Sequence, residues 1–313
     1  MTARVFIDGA AGTTGLEIRD RLAGRADIDL ITIPEERRKD AGARAEALNA
    51  ADAVILCLPD DAAREAVALI DNPRVRVVDA STAHRTAADW TYGFAELEPG
   101  QRKALSASTR ISNPGCYPTG FLALVRPLVR EGLLPADMPL SVNAVSGYSG
   151  GGKSMIAMFE DPSSPDATDT AFRAYALGLG HKHVPEMQKR AGLAHPPIFL
   201  PSVTRTYRGM LVEVPLHLHL LPGRPGGNQL RDALLAAYEG SAVVHVHRDS
   251  PSVLTVEAAA GTDRLDLHVY ADEKAGQARL IALLDNLGKG AAGAAVQNLN
   301  IALGLPETEG LRL

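Results

Sequence analysis

Cys116 sits in a segment suited to presenting a sulfur atom. Ser112-Asn113-Pro114-Gly115-Cys116-Tyr117-Pro118-Thr119 runs into the apolar stretch Gly120-Phe121-Leu122-Ala123-Leu124-Val125. Pro118 suits a first helical turn, which predicts Cys116 at the start of a helix. There the helix dipole favours the thiolate, the form that acts as a nucleophile. The plainer alternative is a cysteine that only packs beneath a turn. Cys57, the other cysteine, lies in Ala53-Val54-Ile55-Leu56-Cys57-Leu58 and reads as a small residue of a buried strand. A cysteine nucleophile needs proton traffic, and histidine carries protons near neutral pH. Three H-x-H pairs occur: His181/His183, His217/His219 and His245/His247. On a strand the members of such a pair point to one side, and two or three pairs could hold zinc in a hydrolase. The absence of an HExxH motif, and of zinc-ligand spacing between the cysteines, argues for no metal. The last two pairs read as the polar face of a half-buried sheet.

Two glycine-rich turns could meet phosphate. Gly9-Ala10-Ala11-Gly12-Thr13-Thr14-Gly15 has the spacing G-x-x-G-x-x-G between a strand and a helix. Such glycines let the backbone approach a pyrophosphate at the helix N-terminus, although the same turn can form without a ligand. Beyond the second strand, Glu35-Glu36 is followed by Arg37-Arg38-Lys39. The three cations favour NADP over NAD, and the competing reading is a solvated charge run. The second turn, Gly147-Tyr148-Ser149-Gly150-Gly151-Gly152-Lys153-Ser154, spells G-x-x-x-x-G-K-[ST], the phosphate loop of nucleotide phosphate-transfer enzymes. Pro162 and Pro165 leave little room for the long helix that such a loop begins.

The elements that must position these residues are of two kinds. Residues 5–7, 30–33, 54–58 and 75–78 are short apolar strands alternating with helix-like stretches such as 16–22 and 61–70. That rhythm predicts an α/β fold with a Rossmann-type, doubly wound parallel sheet. After about residue 140, the runs 211–221, 242–247 and 265–269 predict an α+β region with a mixed or antiparallel sheet. Residues 280–303 read as helix. Two domains are expected: a dinucleotide-binding one from 1–115 and 286–313, and a catalytic one from 116–285.

The 313 residues are 46% hydrophobic and 22% charged, with a formal net charge of −5, which argues against a nucleic-acid partner. No apolar run approaches the ~20 residues that span a bilayer, and no export signal is visible at the start. With only two cysteines, a cytoplasmic location is expected.

Six segments, in order, resemble the N-acetyl-gamma-glutamyl-phosphate reductase family, relatives of aspartate-semialdehyde dehydrogenase. They are the Gly9 turn, Asp79-Ala80-Ser81-Thr82-Ala83-His84-Arg85, the Cys116 turn, the Gly147 turn up to Lys153, His181-Lys182-His183-Val184-Pro185-Glu186, and a tail that includes Gln297-Asn298. Asp8, and Thr82-Ala83-His84 before Arg85, depart locally from the family's pattern. The resemblance implies reduction of a small acyl phosphate, N-acetyl-gamma-glutamyl phosphate, by NADPH through a Cys116 thioester. It implies His181, with His183 beside it, as acid/base, and Glu186 orienting that histidine or lining the substrate. Arg85, Asn113, Ser149, Gly150 and Lys153 would meet the substrate. Gly9, Gly12, Thr13, Thr14, Gly15, Arg37, Arg38, Ser81 and Asn298 would meet the cofactor, and the assembly would be a homo-oligomer, dimer or tetramer. Rival readings are a phosphate-loop enzyme built on Gly147–Ser154, a reductase of a related acyl phosphate, and a nucleotide-binding protein without catalysis.

Overall fold

The computed structural model describes residues 2–37 and 40–313. It divides into two compact units. The first runs to Ala95 and takes in Gly100–Pro114 and Ala291–Leu311; the second comprises Glu96–Pro99, Gly115–Gly290 and Arg312–Leu313.

In the first unit, strands β1 (Ala3–Asp8), β2 (Ile28–Ile31), β3 (Ala53–Leu56), β4 (Arg76–Asp79), β5 (Thr91–Tyr92) and β6 (Arg110–Ser112) alternate with helices α1 (Thr13–Leu22), α2 (Ala41–Ala50), α3 (Asp60–Ala68) and α4 (Gln101–Ala107). The sheet order is β2-β1-β3-β4-β6-β5, and every pairing is parallel. Alternate residues face opposite sides of a strand, so each strand feeds two cores. Val5, Ile7, Ala53 and Ile55 pack with Ile18 and Leu22 of α1 and with Val296 and Leu299 of the C-terminal helix (Gly293–Leu303). Phe6, Val54 and Leu56 pack on the other face with Leu48, Ala63 and Ala66. Burial on both faces explains why β3 is apolar at every position.

The second unit begins with α5 (Cys116–Arg130), followed by β7 (Ser141–Gly147), α6 (Gly152–Glu160), β8 (Phe172–Ala174), α7 (Val184–Ala191), β9 (Ile198–Thr204), β10 (Met210–His217), α8 (Gly227–Ala237), β11 (Val244–Val246), β12 (Leu265–Asp272) and β13 (Gln277–Leu284). The seven-stranded sheet has the order β11-β12-β13-β10-β7-β9-β8. It is mixed: β7–β9 and β11–β12 are parallel, and the other pairs are antiparallel. Helix α5 lies close on this sheet because Gly120 has no side chain; a Cβ there would stand 2.8 Å from Val212 Cγ2. Tyr238 anchors the same helix by donating its hydroxyl to Ala123 O at 2.8 Å.

Two sequence expectations are corrected. Residues 280–284 are strand, not helix, because Leu-Ile-Ala-Leu-Leu is apolar on both faces and pairs with β10 on one side and β12 on the other. An apolar run of that length fits a buried strand as well as a helix, and only its neighbours decide. A π-helical turn (Gly288–Ala292) separates it from the C-terminal helix. The run 211–221 likewise ends as strand at His217 and closes with a 3₁₀ turn, Leu218–Leu220.

Candidate active site

Cys116 is the first residue of α5, capped by the extended backbone of Gly115. The turn is held from both ends. Gly115 N–H donates to Glu186 Oε1 at 2.9 Å, and Thr119 returns its hydroxyl to Gly115 O at 2.9 Å. Glu186 is buried in the first turn of α7, so a carboxylate on that helix fixes the backbone just before the cysteine. From behind, Gly290 backs Cys116 closely; a Cβ on Gly290 would lie 2.9 Å from Cys116 Cβ.

His181 and His183 have different surroundings. His181 makes edge contacts with Tyr117, Tyr175 and Phe199 at ring separations of 6.1, 5.8 and 5.1 Å, and with His183 at 4.8 Å. Burial first, and Lys182 second, push its pKa down to about 4, which keeps it neutral at physiological pH. His183 N–H donates to His181 Nδ1 at 3.1 Å, so the proton of the neutral ring sits on Nε2. His183 is more deeply buried and caps α7. Tyr175 is the residue that sequence reasoning missed. Its hydroxyl donates to Tyr117 OH at 3.2 Å, which in turn donates to Ser202 O at 3.3 Å. Burial raises both phenols, Tyr175 to about 12. No local motif marks it, because the edge of the sheet brings it to residues far away in sequence. The segment that follows holds Ala176 and Leu179 at φ +53° and +64°, strained for side chains with a Cβ.

Ser149 is buried in the 3₁₀ turn Tyr148–Gly151. Asn286 Nδ2 donates to its Oγ at 2.9 Å. Asn286 belongs to a tightly bound strap, 285–290. Asp285 accepts from Leu287 and Gly288 N–H at its start, and Lys289 forms a buried 2.9 Å ion pair with Glu96 near its end. Gly150 and Lys153 are exposed beside Ser149. The phosphate-loop spelling does not bring that fold: β7 has an antiparallel neighbour, α6 is only nine residues long, and the next strand, Phe172-Arg173-Ala174, carries no carboxylate for magnesium. His217 and His219 stand 5.5 Å apart at the end of β10, while His247 stacks on His268 and contacts Asp266. Among the described residues, no group of three or more His, Cys, Asp or Glu side chains is placed to hold a metal ion.

The first unit carries the other expected residues. Gly9, at φ +88°, would drive a Cβ into the Cys57 carbonyl, and Gly15 would set one 2.5 Å from Gly9 O. Thr13 and Thr14 open α1, whose first turn has no acidic residue to oppose an anion. Arg37 ends an exposed 3₁₀ turn, and Arg38 lies outside the described residues. Ser81 donates both N–H and hydroxyl to buried Asp79, whose Oδ2 also meets His84 Nδ1 at 2.6 Å; His84 stacks on Trp90. Arg85 Nε and Nη2 donate to the carbonyls of Asn113 and Ala80, both at 3.0 Å. Asn298 Nδ2 bridges Gly93 O and Asn113 Oδ1, while its own Oδ1 is buried and has no hydrogen-bond partner among the described residues. Gln297 donates to Glu307. No described helix is long and apolar enough to cross a membrane.

Residues 4–105 match the semialdehyde dehydrogenase NAD-binding domain, and residues 116–286 match the semialdehyde dehydrogenase dimerisation domain. The N-acetyl-gamma-glutamyl-phosphate reductase of Trichormus variabilis is 51% identical, over 98% of this chain and 99% of its own. That of Brucella ovis is 52% identical, over 97% and 100%. Among solved structures, aspartate semialdehyde dehydrogenase II from Vibrio cholerae aligns with a TM-score of 0.71 at 18% identity, over 97% of this chain and 99% of that one. A probable aspartate-semialdehyde dehydrogenase from Pseudomonas aeruginosa aligns at 0.73 and 16%, with the same coverage. With both units matched and half of all positions shared with full-length relatives, the chain belongs to the N-acetyl-gamma-glutamyl-phosphate reductases, oxidoreductases of the semialdehyde dehydrogenase family.

Proposed function

We propose that this chain reduces N-acetyl-gamma-glutamyl phosphate to N-acetylglutamate 5-semialdehyde and phosphate, with NADPH, through a thioester on Cys116, as a step of arginine biosynthesis. The observation that carries this is the setting of Cys116: the first residue of α5, its preceding N–H held by buried Glu186, with His181 in the adjoining aromatic cluster. A helix start and a fixed backbone favour a reactive thiolate.

The thiolate attacks the acyl carbon, and the carbon–oxygen bond to phosphate breaks with the electron pair leaving on phosphate. Covalent catalysis thus replaces one hard displacement by two easier steps. NADPH supplies the hydride that reduces the thioester carbonyl. The hemithioacetal oxyanion then collapses, its carbon–sulfur pair returning to Cys116. His181 enters as an Nε2–H donor toward the oxygen that gathers negative charge, its tautomer set by the His183 N–H. The residues of the first unit fit a nicotinamide cofactor: Gly9 and Gly15 leave room only for backbone at the phosphate turn, and the buried Oδ1 of Asn298 awaits a donor such as a carboxamide. Arg37 supports NADP over NAD. Ser149, Gly150 and Lys153 form the phosphate side of the substrate site. The assignment of Arg85 and Asn113 to the substrate rests on the family resemblance; Arg85 Nε donates to Asn113 O, and Asn113 Nδ2 to Ala291 O. The proposed setting is cytoplasmic. The proposed assembly is a homo-oligomer, dimer or tetramer, supported by the dimerisation-domain match and by the exposed Ile198 and Leu200 of β9.

The test is phosphate-dependent reduction of NADP by N-acetylglutamate 5-semialdehyde. Cys116→Ala should lower kcat by about 10³-fold or more while the fold persists, as loss of a catalytic nucleophile does. A folded wild-type enzyme without turnover would sink the substrate assignment. Turnover retained in Cys116→Ala would sink the thioester.

A further inference from the structure

Asn286 settles where a buried proton can go. Gly209 N–H donates to its Oδ1 at 3.0 Å, so that atom must be the amide oxygen. A flipped amide would set two donors against each other. The other end, Nδ2, then donates to Ser149 Oγ at 2.9 Å. Ser149 Oγ therefore accepts from Asn286 and keeps its own hydrogen for a different acceptor. Asn286 is 2% exposed and Ser149 1%. Among the described residues the Ser149 hydroxyl has no acceptor; the backbone N–H of Ser149 goes to Tyr207 O, and its carbonyl accepts from Gly152. A hydroxyl hydrogen buried with no acceptor is costly unless a ligand completes it. The surroundings define that ligand. Exposed Gly150 and Lys153 lie next in sequence, and the strap that carries Asn286 touches Cys116 four residues later, at Gly290. A cationic, donor-rich setting within one strap of the nucleophile suits an anionic oxygen.

We infer that Asn286 is a positioning residue that turns the Ser149 hydroxyl into a hydrogen-bond donor for a phosphate oxygen, that of the acyl phosphate or of inorganic phosphate in the reverse reaction. The inference rests on the proposed reductase reading for the identity of the substrate, and on the two Asn286 bonds for the direction of the donor. Asn286→Asp is the sharpest probe. Its carboxylate still accepts from Gly209 N–H, but its second oxygen now takes the Ser149 hydrogen and leaves the serine with nothing to donate.

The experiment uses the full-length enzyme with inorganic phosphate as the probe. Two quantities are read: the KM for phosphate in the oxidative direction, and phosphate protection of Cys116 against iodoacetamide, which needs no turnover. Cys57 does not compete for the reagent, since burial raises its thiol to about 12. Asn286→Asp should raise the phosphate KM by about tenfold to a hundredfold, with a smaller change in kcat, and abolish protection. Asn286→Ala and Ser149→Ala should each raise it by about tenfold, and the double variant no further than Ser149→Ala alone. The inference is overturned if Asn286→Ala acts undiminished in the Ser149→Ala background. It is equally overturned if Asn286→Asp stays within about twofold of wild type on both readouts, or if phosphate gives no protection to wild type. If Asn286→Asp fails to fold, the alanine cycle decides. Protection that depends on Asn286 in an enzyme that does not turn over the semialdehyde would remove the substrate assignment and keep this inference. Normal turnover with indifferent Asn286 variants would do the reverse.

Discussion

The two glycine turns look alike in the sequence and differ in what holds them. Both follow a strand and open a helix. In the turn at Gly9, the main chain is what is fixed: Gly9 and Gly15 leave no space for a Cβ, and no side chain in the first turn of α1 carries a charge. In the turn at Gly147, the fit is uneven: a Cβ on Gly147 would stand 2.7 Å from Tyr207 O and one on Gly151 2.6 Å from Met155 Cβ, while Gly150 and Gly152 are looser. Gly152 has open space around its Cα, and Gly150 meets only side-chain atoms beyond 3.2 Å. What is fixed there is a side chain, Ser149, held from a distant strap by Asn286. The first turn is specified by main chain packed on main chain; the second adds to its tight Gly147 a hydrogen-bond network that a local motif cannot encode.

Substitutions should separate the two. Gly15→Ala places its Cβ against the Gly9 carbonyl and should destabilise the first unit by about 2–3 kcal/mol, as overpacking does. It should also weaken NADPH binding severely; calorimetric unfolding and fluorescence titration of the nucleotide report the two effects. An unchanged cofactor affinity would show that the turn is only a connection.

The cysteine turn should respond next. Glu186→Ala leaves the buried Gly115 N–H without its carboxylate acceptor, which costs about 1–3 kcal/mol. Its signature is a slower reaction of Cys116 with iodoacetamide. A loss of stability with unchanged thiol reactivity would assign Glu186 to the fold alone.

Protonation gives a smaller, pH-dependent effect. His181 and His268 are both depressed from 6.5 to about 4 by burial. Between about pH 6.5 and 4 the unfolded chain then binds more protons than the folded one, so stability rises with pH in that window and falls on acidification through it. His181→Gln should flatten the dependence of Tm on pH between 7 and 4.5, and a curve identical to wild type would contradict the neutral, buried imidazole.

The smallest change in activity should come from Gly152→Ala. The residue sits at φ +71°, ψ −165°, a region that residues with a Cβ rarely adopt, but with nothing near its Cα, so only backbone strain is added, about 1–3 kcal/mol. Activity should stay near wild type, whereas Ser149→Ala three residues earlier should lower it. Equal losses would mean that the glycines of this turn, and not its serine, meet the substrate.

Much of this molecule was legible in its sequence, because the relevant physics is local. The uninterrupted apolar runs at 5–7 and 53–56 mark strands buried on both faces. Pro118 after Cys116 marks a helix start, and glycines between a strand and a helix mark a tight turn. The fate of residues 280–284 was not legible, because an apolar pentapeptide fits helix and strand equally until β10 and β12 flank it. Tyr175 on Tyr117, Glu186 on the Gly115 N–H and Asn286 on Ser149 were equally hidden as contacts. Each joins residues tens of positions apart, and the geometry of a hydrogen bond exists only after the chain has packed. Residue type and spacing determined which groups could do chemistry; tertiary structure decided which atom holds each proton and which group it faces, since burial and partner geometry, not identity, set those.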